Sequence, residues 1–364
     1  MIQFLSFSDS VVDAAKAFNR RITRDGKAPF LLPEQLDQRP RSGAIRGTHY
    51  LAMEGTEARG GYMLVEYPSV LKGERVTVAN IQSPISESII DSRFAMLPLQ
   101  MVKQFLSHNR HCFVVGMGDQ GNPLPRLLRA SGWSLESVPF FFRIHRMPAF
   151  LAGMPALQSP WWKRAGTLAA AYSGAGAVGG MLLQRSKVRL AEGASISLEN
   201  VWGEWAEEVW AGFAPTLRFG VRRDLEVLRE LYPADDGRLR IHRITSGSRT
   251  LGWSASLVKR MQNSPYFGNL MVASLLDCAA LPGYFGVVAA LADGALGKEG
   301  ADLVITNQSL TEWKDAFAAA GFRSGPSRFQ VAISSELTKG LSKTPVADGA
   351  VHITRGDGDG RLNL

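Results

Sequence analysis

The groups best placed to do chemistry in this 364-residue chain lie between Leu270 and Gly286. An apolar run, Leu270 to Leu276, reads as a buried strand and ends on Asp277 and Cys278. Ala280-Leu-Pro-Gly-Tyr-Phe-Gly286 follows as a turn-rich loop at the head of an apolar helix, Val287 to Leu296. A strand, a loop of free amides and a helix start together make a phosphate cradle, because the amides and the helix dipole both point at the anion. Gly283 and Gly286 let the backbone approach such a ligand closely. A plain strand-to-helix turn accounts for the same two glycines. Asp277 is the carboxylate best placed by sequence to take a proton, and capping the next turn is an equal use for it. Cys278 has no His or Asn partner at a recognisable spacing, so a thiol nucleophile is not expected. His111 and His242 read as ordinary strand or surface residues, and no zinc spacing occurs.

The elements around this stretch form an ordered unit. After the helix comes a short strand, Asp302 to Thr306, and then a helix from Thr311 with Trp313, Ala316, Phe317 and Ala320 on one face. Gly321 ends it where a left-handed residue is wanted, and Phe329 to Ile333 reads as a last strand. The same end-piece occurs 189 residues earlier. Asn122 stands for Thr311, Leu124 for Trp313, Leu128 for Phe317, Gly132 for Gly321 and Phe140 for Phe329. Both Asn122 and Thr311 are good residues to start a helix, and Pro123 suits a first helical position. A repeat of this length implies two copies of a whole domain.

Four segments follow: a first domain over 1–146, a linker over 147–195, a second domain over 196–335 and a flexible tail over 336–364. In the first, a helix from Val11 precedes a hairpin of 62–67 with 76–81, and a helix over 96–106 leads into the repeat. The loop Gln82 to Ser88 after that hairpin has no glycine. In the second, Trp202, Trp205, Val209 and Phe213 share a helix face, and 239–244 with 250–257 read as a hairpin turning at Ser246-Gly247. The linker carries Trp161-Trp-Lys-Arg164, then eighteen uncharged residues rich in Gly and Ala, then Arg185, Lys187 and Arg189. It reads as a packed apolar helix, and its ends also suit contact of 161–189 with a membrane surface. The tail has Gly356-Asp-Gly-Asp-Gly360 without the glutamate a calcium loop needs.

Hydrophobic residues make up 45% of the chain and charged ones 20%, which excludes a disordered protein. The net charge of +8 favours anionic partners, but no run of five like charges exists, so nucleic acid is not the expected partner. Two cysteines in apolar runs suggest buried thiols in a reducing compartment, and Met1 to Ser10 has no signal-peptide pattern. A cytoplasmic location is expected.

The order strand, glycine loop, helix, strand, helix, strand resembles the second half of the GNAT acyltransferase fold. Gly300 to Asn307, then Trp313 through Ala320-Gly-Phe322, is similar to that family's ending, and Arg222-Arg-Asp224 with Leu228 and Tyr232 is similar to a pattern in its tandem members. The resemblance implies an α/β fold with mixed sheets, in two GNAT-like domains in tandem. It implies acyl transfer, most simply of acetyl, from acetyl-CoA or another acyl-CoA to a small amine such as an amino sugar or a cell-envelope precursor. It places the cofactor on Leu275, Leu276, Ala280, Leu281, Gly283, Tyr284, Phe285, Gly286 and Asn307, with no metal. The base would be Asp277. The family's usual acid is a tyrosine on the last helix, where Trp313 or Phe317 stands here, so the acid is either missing or comes from elsewhere, for example Tyr284. Ala280 and Phe285 also depart from the family's Gln/Arg-x-x-Gly-x-Gly/Ala loop, and Gln82 to Ser88 lacks it outright. Two other readings follow: a Fem-type transferase using aminoacyl-tRNA, and a GNAT-fold protein without catalysis that binds a partner or a membrane.

Overall fold

The computed structural model describes residues 1–24, 26, 30–35, 43–118, 121–155 and 185–358. The apolar stretch 167–184 therefore lies outside the described residues. The chain divides into two units, one of residues 1–136 with 330–344 and the other of 137–329 with 345–364.

The first unit begins with β1 (Ile2–Ser6), α1 (Val12–Thr23), β2 (Arg46–Glu54), β3 (Glu57–Leu71) and β4 (Glu74–Ser86). It continues with α2 (Leu97–His108), β5 (Cys112–Val115), α3 (Pro123–Ala130) and β6 (Ser134–Ser137). The second unit takes β7 (Phe140–Ile144), α4 (Met147–Gly153), β8 (Ala194–Glu199), α5 (Glu204–Phe213), β9 (Phe219–Val221) and α6 (Leu225–Leu231). Then come β10 (Leu239–Ser246), β11 (Arg249–Arg260), β12 (Met271–Ala280), α7 (Phe285–Lys298), β13 (Leu303–Asn307), α8 (Thr311–Ala319) and β14 (Arg323–Gly325). The chain closes with β15 (Gln330–Ile333) and α9 (Ser335–Lys339) in the first unit, and β16 (Val351–His352) in the second.

Local chemistry accounts for these elements. Lys72 and Gly73 have φ of 53° and 83°, the paired left-handed geometry that fits a tight hairpin between β3 and β4. Gly132 and Gly321 have φ of 82° and 94°, so both copies of the repeat stop a helix with a left-handed glycine. Along α5, Ala206, Val209, Trp210 and Phe213 are buried at helical spacing, and Trp202 is buried just ahead of it. β12 and β13 are nearly continuous apolar runs, as parallel strands covered on both faces require.

The two sheets repeat one order. In the first unit it is β1-β2-β3-β4-β5-β15-β6, and in the second β8-β10-β11-β12-β13-β7-β14. Position by position these are the same arrangement, with one exchange. The reading from sequence gives 140–144 to the first domain and 329–333 to the second. The strands pair the other way. β7 lies antiparallel to β13, with Phe142 opposite Ile305, and β15 lies antiparallel to β5, with Ala332 opposite Val114. Phe141 stacks on Phe317 at 5.9 Å within the second unit, while Val331, Ala332 and Ile333 are fully buried in the first. Residues 336–358, read from sequence as part of a flexible tail, are instead folded: Leu337, Val346, Val351, Ile353 and Asp357 are buried.

A fragment ending at Gly153 lacks β15 and leaves the inner edge of β5 without a partner. Such a fragment is expected to aggregate or stay unfolded. Circular dichroism and gel filtration of it beside the full chain check this.

Candidate functional site

β12 and β13 run parallel only from Val272–Leu303 to Leu275–Thr306, and then part. On the other side of β12 the register with β11 shifts between Ala255 and Ser256, so that Leu276 is an extra residue and Asp277 falls opposite Ala255. The bulge sits where the strands diverge. Leu275, Leu276 and Asp277 are all fully buried there.

Beyond the divergence, β13 finds a new partner in the C-terminal segment. Gln308 bridges to Thr354, the Ser309 amide donates to the Ile353 carbonyl at 3.1 Å, and the Ile353 amide donates to the Ser309 hydroxyl at 2.8 Å. The same segment brings charge. Arg223, with no exposed surface, donates from Nε to Asp277 Oδ2 at 2.5 Å and from Nη2 to Asp357 Oδ1 at 2.7 Å. The Tyr232 hydroxyl donates to Asp277 Oδ2 at 2.8 Å, and His352 Nε2 stands 3.3 Å from Asp277 Oδ1. Burial alone raises a carboxyl, but the Arg223 guanidinium outweighs it, with His352 adding to the effect, and holds Asp277 at about 2. A carboxylate so held is a poor proton acceptor at neutral pH. Its observed task is to anchor Arg223 and, through it, Asp357. Burial and the Asp277 charge push the Cys278 thiol well up, so it stays protonated.

The loop residues do come together. Ala280 pairs with Gly252 at the end of β12, and the Leu281 amide donates to the Leu251 carbonyl at 2.8 Å. Gly283 has φ of 87° and open space where a Cβ would stand. Tyr284 occupies the N-cap of α7 with no side-chain cap, and the first amides of a helix have no intrahelical partner. Arg249 lies over the Tyr284 ring at 5.6 Å, and Val188 stands about 3.5 Å from where a Cβ on Gly286 would be. Phe285 turns inward, edge-on to Trp313 at 4.8 Å, and Trp313 and Phe317 are buried beside it. Asn307 is apart from this group: its amide donates to the carbonyls of Val138 and Pro139, both at 3.3 Å, and fixes the approach to β7.

Over 91% of this chain and 72% of the other, it superposes with a TM-score of 0.54, at 10% identity, on a GCN5-related N-acetyltransferase from Anabaena variabilis. The fold is that of the GCN5-related N-acetyltransferases. A protein from Enterococcus faecalis described as a probable N-acyltransferase aligns over 94% of this chain and 75% of its own, with a TM-score of 0.52 and 9% identity. No protein-family model and no curated protein matches the chain.

Within this GCN5-related fold, the sequence reading centres on the loop and does not include the ion-pair partners of Asp277. Their signal was present in part. Arg222-Arg-Asp224 and Tyr232 form a recognisable pattern in the sequence, and Arg223 and Tyr232 are two of those partners. Asp357, inside what reads as a flexible glycine stretch, gave none. No cluster of metal ligands exists among the described residues, and no described helix is long and apolar enough to cross a membrane.

Replacing Arg223 with Met removes the guanidinium shared by two buried carboxylates and is expected to cost about 3–5 kcal/mol. The Asp277 carboxyl titrates lower in the folded state than its ordinary value of about 3.9. Its contribution is therefore present above about pH 4 and lost as pH falls toward 2. Urea melts of the wild type across that range should show the loss, and Asp277→Asn should flatten it.

Proposed function

We propose that this protein is a CoA-dependent N-acyltransferase that holds its cofactor's phosphates on the loop 280–286 and the first turn of α7. The observation that carries the reading is the start of α7. It is uncapped, it opens through a left-handed Gly283 with free space beside it, and it stands at the open end of a diverging parallel strand pair in an acyltransferase fold. Fixed amides at a helix start supply a positive field without a side chain, which suits a pyrophosphate.

The cofactor contacts proposed are Ala280, Leu281, Gly283, Tyr284 and Gly286, with acetyl-CoA as the simplest donor and a small amine as acceptor. Transfer joins the amine nitrogen to the thioester carbonyl carbon, expels CoA as a thiolate and requires one proton to leave the nitrogen and one to reach the sulfur. Tyr284, half-buried at the loop, is proposed as the proton donor to sulfur. Asp277 is not carried into the proposal, since its lone pairs are engaged by Arg223 and Tyr232.

Isothermal titration of acetyl-CoA tests the placement. The wild type is expected to bind at micromolar levels. Gly286→Asp adds a carboxylate that suits the helix dipole but repels a phosphate, so it should fold normally and bind at least tenfold more weakly, a loss of about 1.4 kcal/mol. Binding unaltered in Gly286→Asp would contradict the placement. Tyr284→Phe should then leave acetyl-CoA affinity near that of the wild type and lower the transfer rate about 10²-fold, measured as thiol release once an acceptor is found.

A further inference from the structure

The opposite end of α7 borders a second feature that the acyl-transfer reading does not use. A groove of about 520 Å³ runs between the helix and the extended segment 186–190. It is separate from the loop at the helix start, since Gly294 lies nine residues beyond Phe285, roughly 13 Å along the axis.

Its floor is a cluster built from two elements. Arg143 on β7 and His145, one residue past its end, are two positions apart and both reach Asp293. Asp293, 2% exposed on α7, receives Arg143 Nη1 at 2.9 Å and His145 Nε2 at 2.8 Å. A carboxylate only accepts, so the His145 proton in this contact sits on Nε2. The imidazole fits only because residue 297 is glycine: a Cβ there would stand 2.4 Å from Nδ1. Arg143 also donates from Nη1 to the Ala320 carbonyl. Those contacts use one corner of the guanidinium, which leaves its Nε and Nη2 edge for a ligand.

The walls are apolar and the rim is basic. Val188 and Leu190, the latter half exposed, face Ala290 and Leu291 across the groove. Gly294 leaves open space between them, with nothing within 4 Å of where its Cβ would be. Lys298 stands exposed at the end of the helix, and Arg185, Lys187 and Arg189 are exposed along the opposite wall segment. Asp293 is the single carboxylate among the lining residues, and Arg143 already neutralises it. The surplus charge is positive. A helix interior disfavours glycine by about 1 kcal/mol each, and here Gly294 and Gly297 together open the cavity and seat the imidazole.

We propose that this groove binds a small amphipathic anion, with a carboxylate or phosphate head held at Lys298 and Arg143 and a short apolar body lying over Gly294. Octanoate, octyl phosphate and 1-octanol titrated into the full-length protein test it. At least one of the two anions is expected to saturate a single site, the better of them naming the head group, with 1-octanol about tenfold weaker. Gly294→Leu fills the cavity without touching the charged cluster and suits a helix better than glycine, so it should melt no lower than the wild type and weaken the anion at least tenfold. Lys298→Gln, at an exposed position, should weaken it as well while leaving 1-octanol unchanged. Failure of both anions to saturate at about 10 mM, the far weak end of specific binding, overturns the proposal. So does binding unaltered in both Gly294→Leu and Lys298→Gln.

Discussion

Two parallel strands that part midway leave backbone groups that must be satisfied by something else. Buried amides and carbonyls are almost always paired, because an orphaned one costs as much as a lost hydrogen bond. In the second unit β12 and β13 separate after Leu275 and Thr306, and the C-terminal segment takes up the freed edge of β13 through Thr354 and Ile353. Arg223 then locks that segment in place, with Asp277 on one side and Asp357 on the other. The most buried charges in the unit are thus where they are because of one divergence in one strand pair. Asp277 looks like a catalytic base in sequence and serves as an anchor in the structure for the same reason.

The cofactor reading follows from what the divergence leaves open. Trp313, Phe317 and Phe285 fill the interior beside α7 with packed rings, and α8 carries no tyrosine. The start of α7 has no side-chain cap, and Arg249 lies over the Tyr284 ring beside it. The proposed cofactor loop is therefore 280–286, while the carboxylate three residues before it is engaged by Arg223 and Tyr232. Farther along the same helix, glycines open a second cavity over a neutralised Asp293. One helix thereby presents two different environments at its two ends, amides at the first and basic side chains at the second.

Much of this was legible in the sequence. β12, α7, β13 and α8 lie within a few residues of where apolar periodicity puts them, and Gly132 and Gly321 end their helices in the left-handed conformation expected of them. The duplication reappears as two sheets of one order. What periodicity could not give is which sheet a strand joins. Phe140–Ile144 and Gln330–Ile333 carry equally good strand patterns, and an exchange between two related sheets leaves every local preference unchanged. The tail misled for a different reason. Its glycines and aspartates look flexible, and only the long-range partner Arg223 turns Asp357 into a fixed point. The Asp293 cluster was likewise invisible, because Arg143 and His145 reach it from a strand that sequence assigns to the other domain.

The central claim is that the amides at the start of α7 receive the cofactor. Hydrogen exchange of the full-length protein with and without acetyl-CoA tests it most directly. Slowed exchange is expected at residues 283–287, where the amides of Gly283 and the first turn of α7 would become hydrogen-bonded to the cofactor. Protection that leaves 283–287 unchanged and appears instead around Gln82 to Leu97 would contradict it and move the cofactor to the first unit.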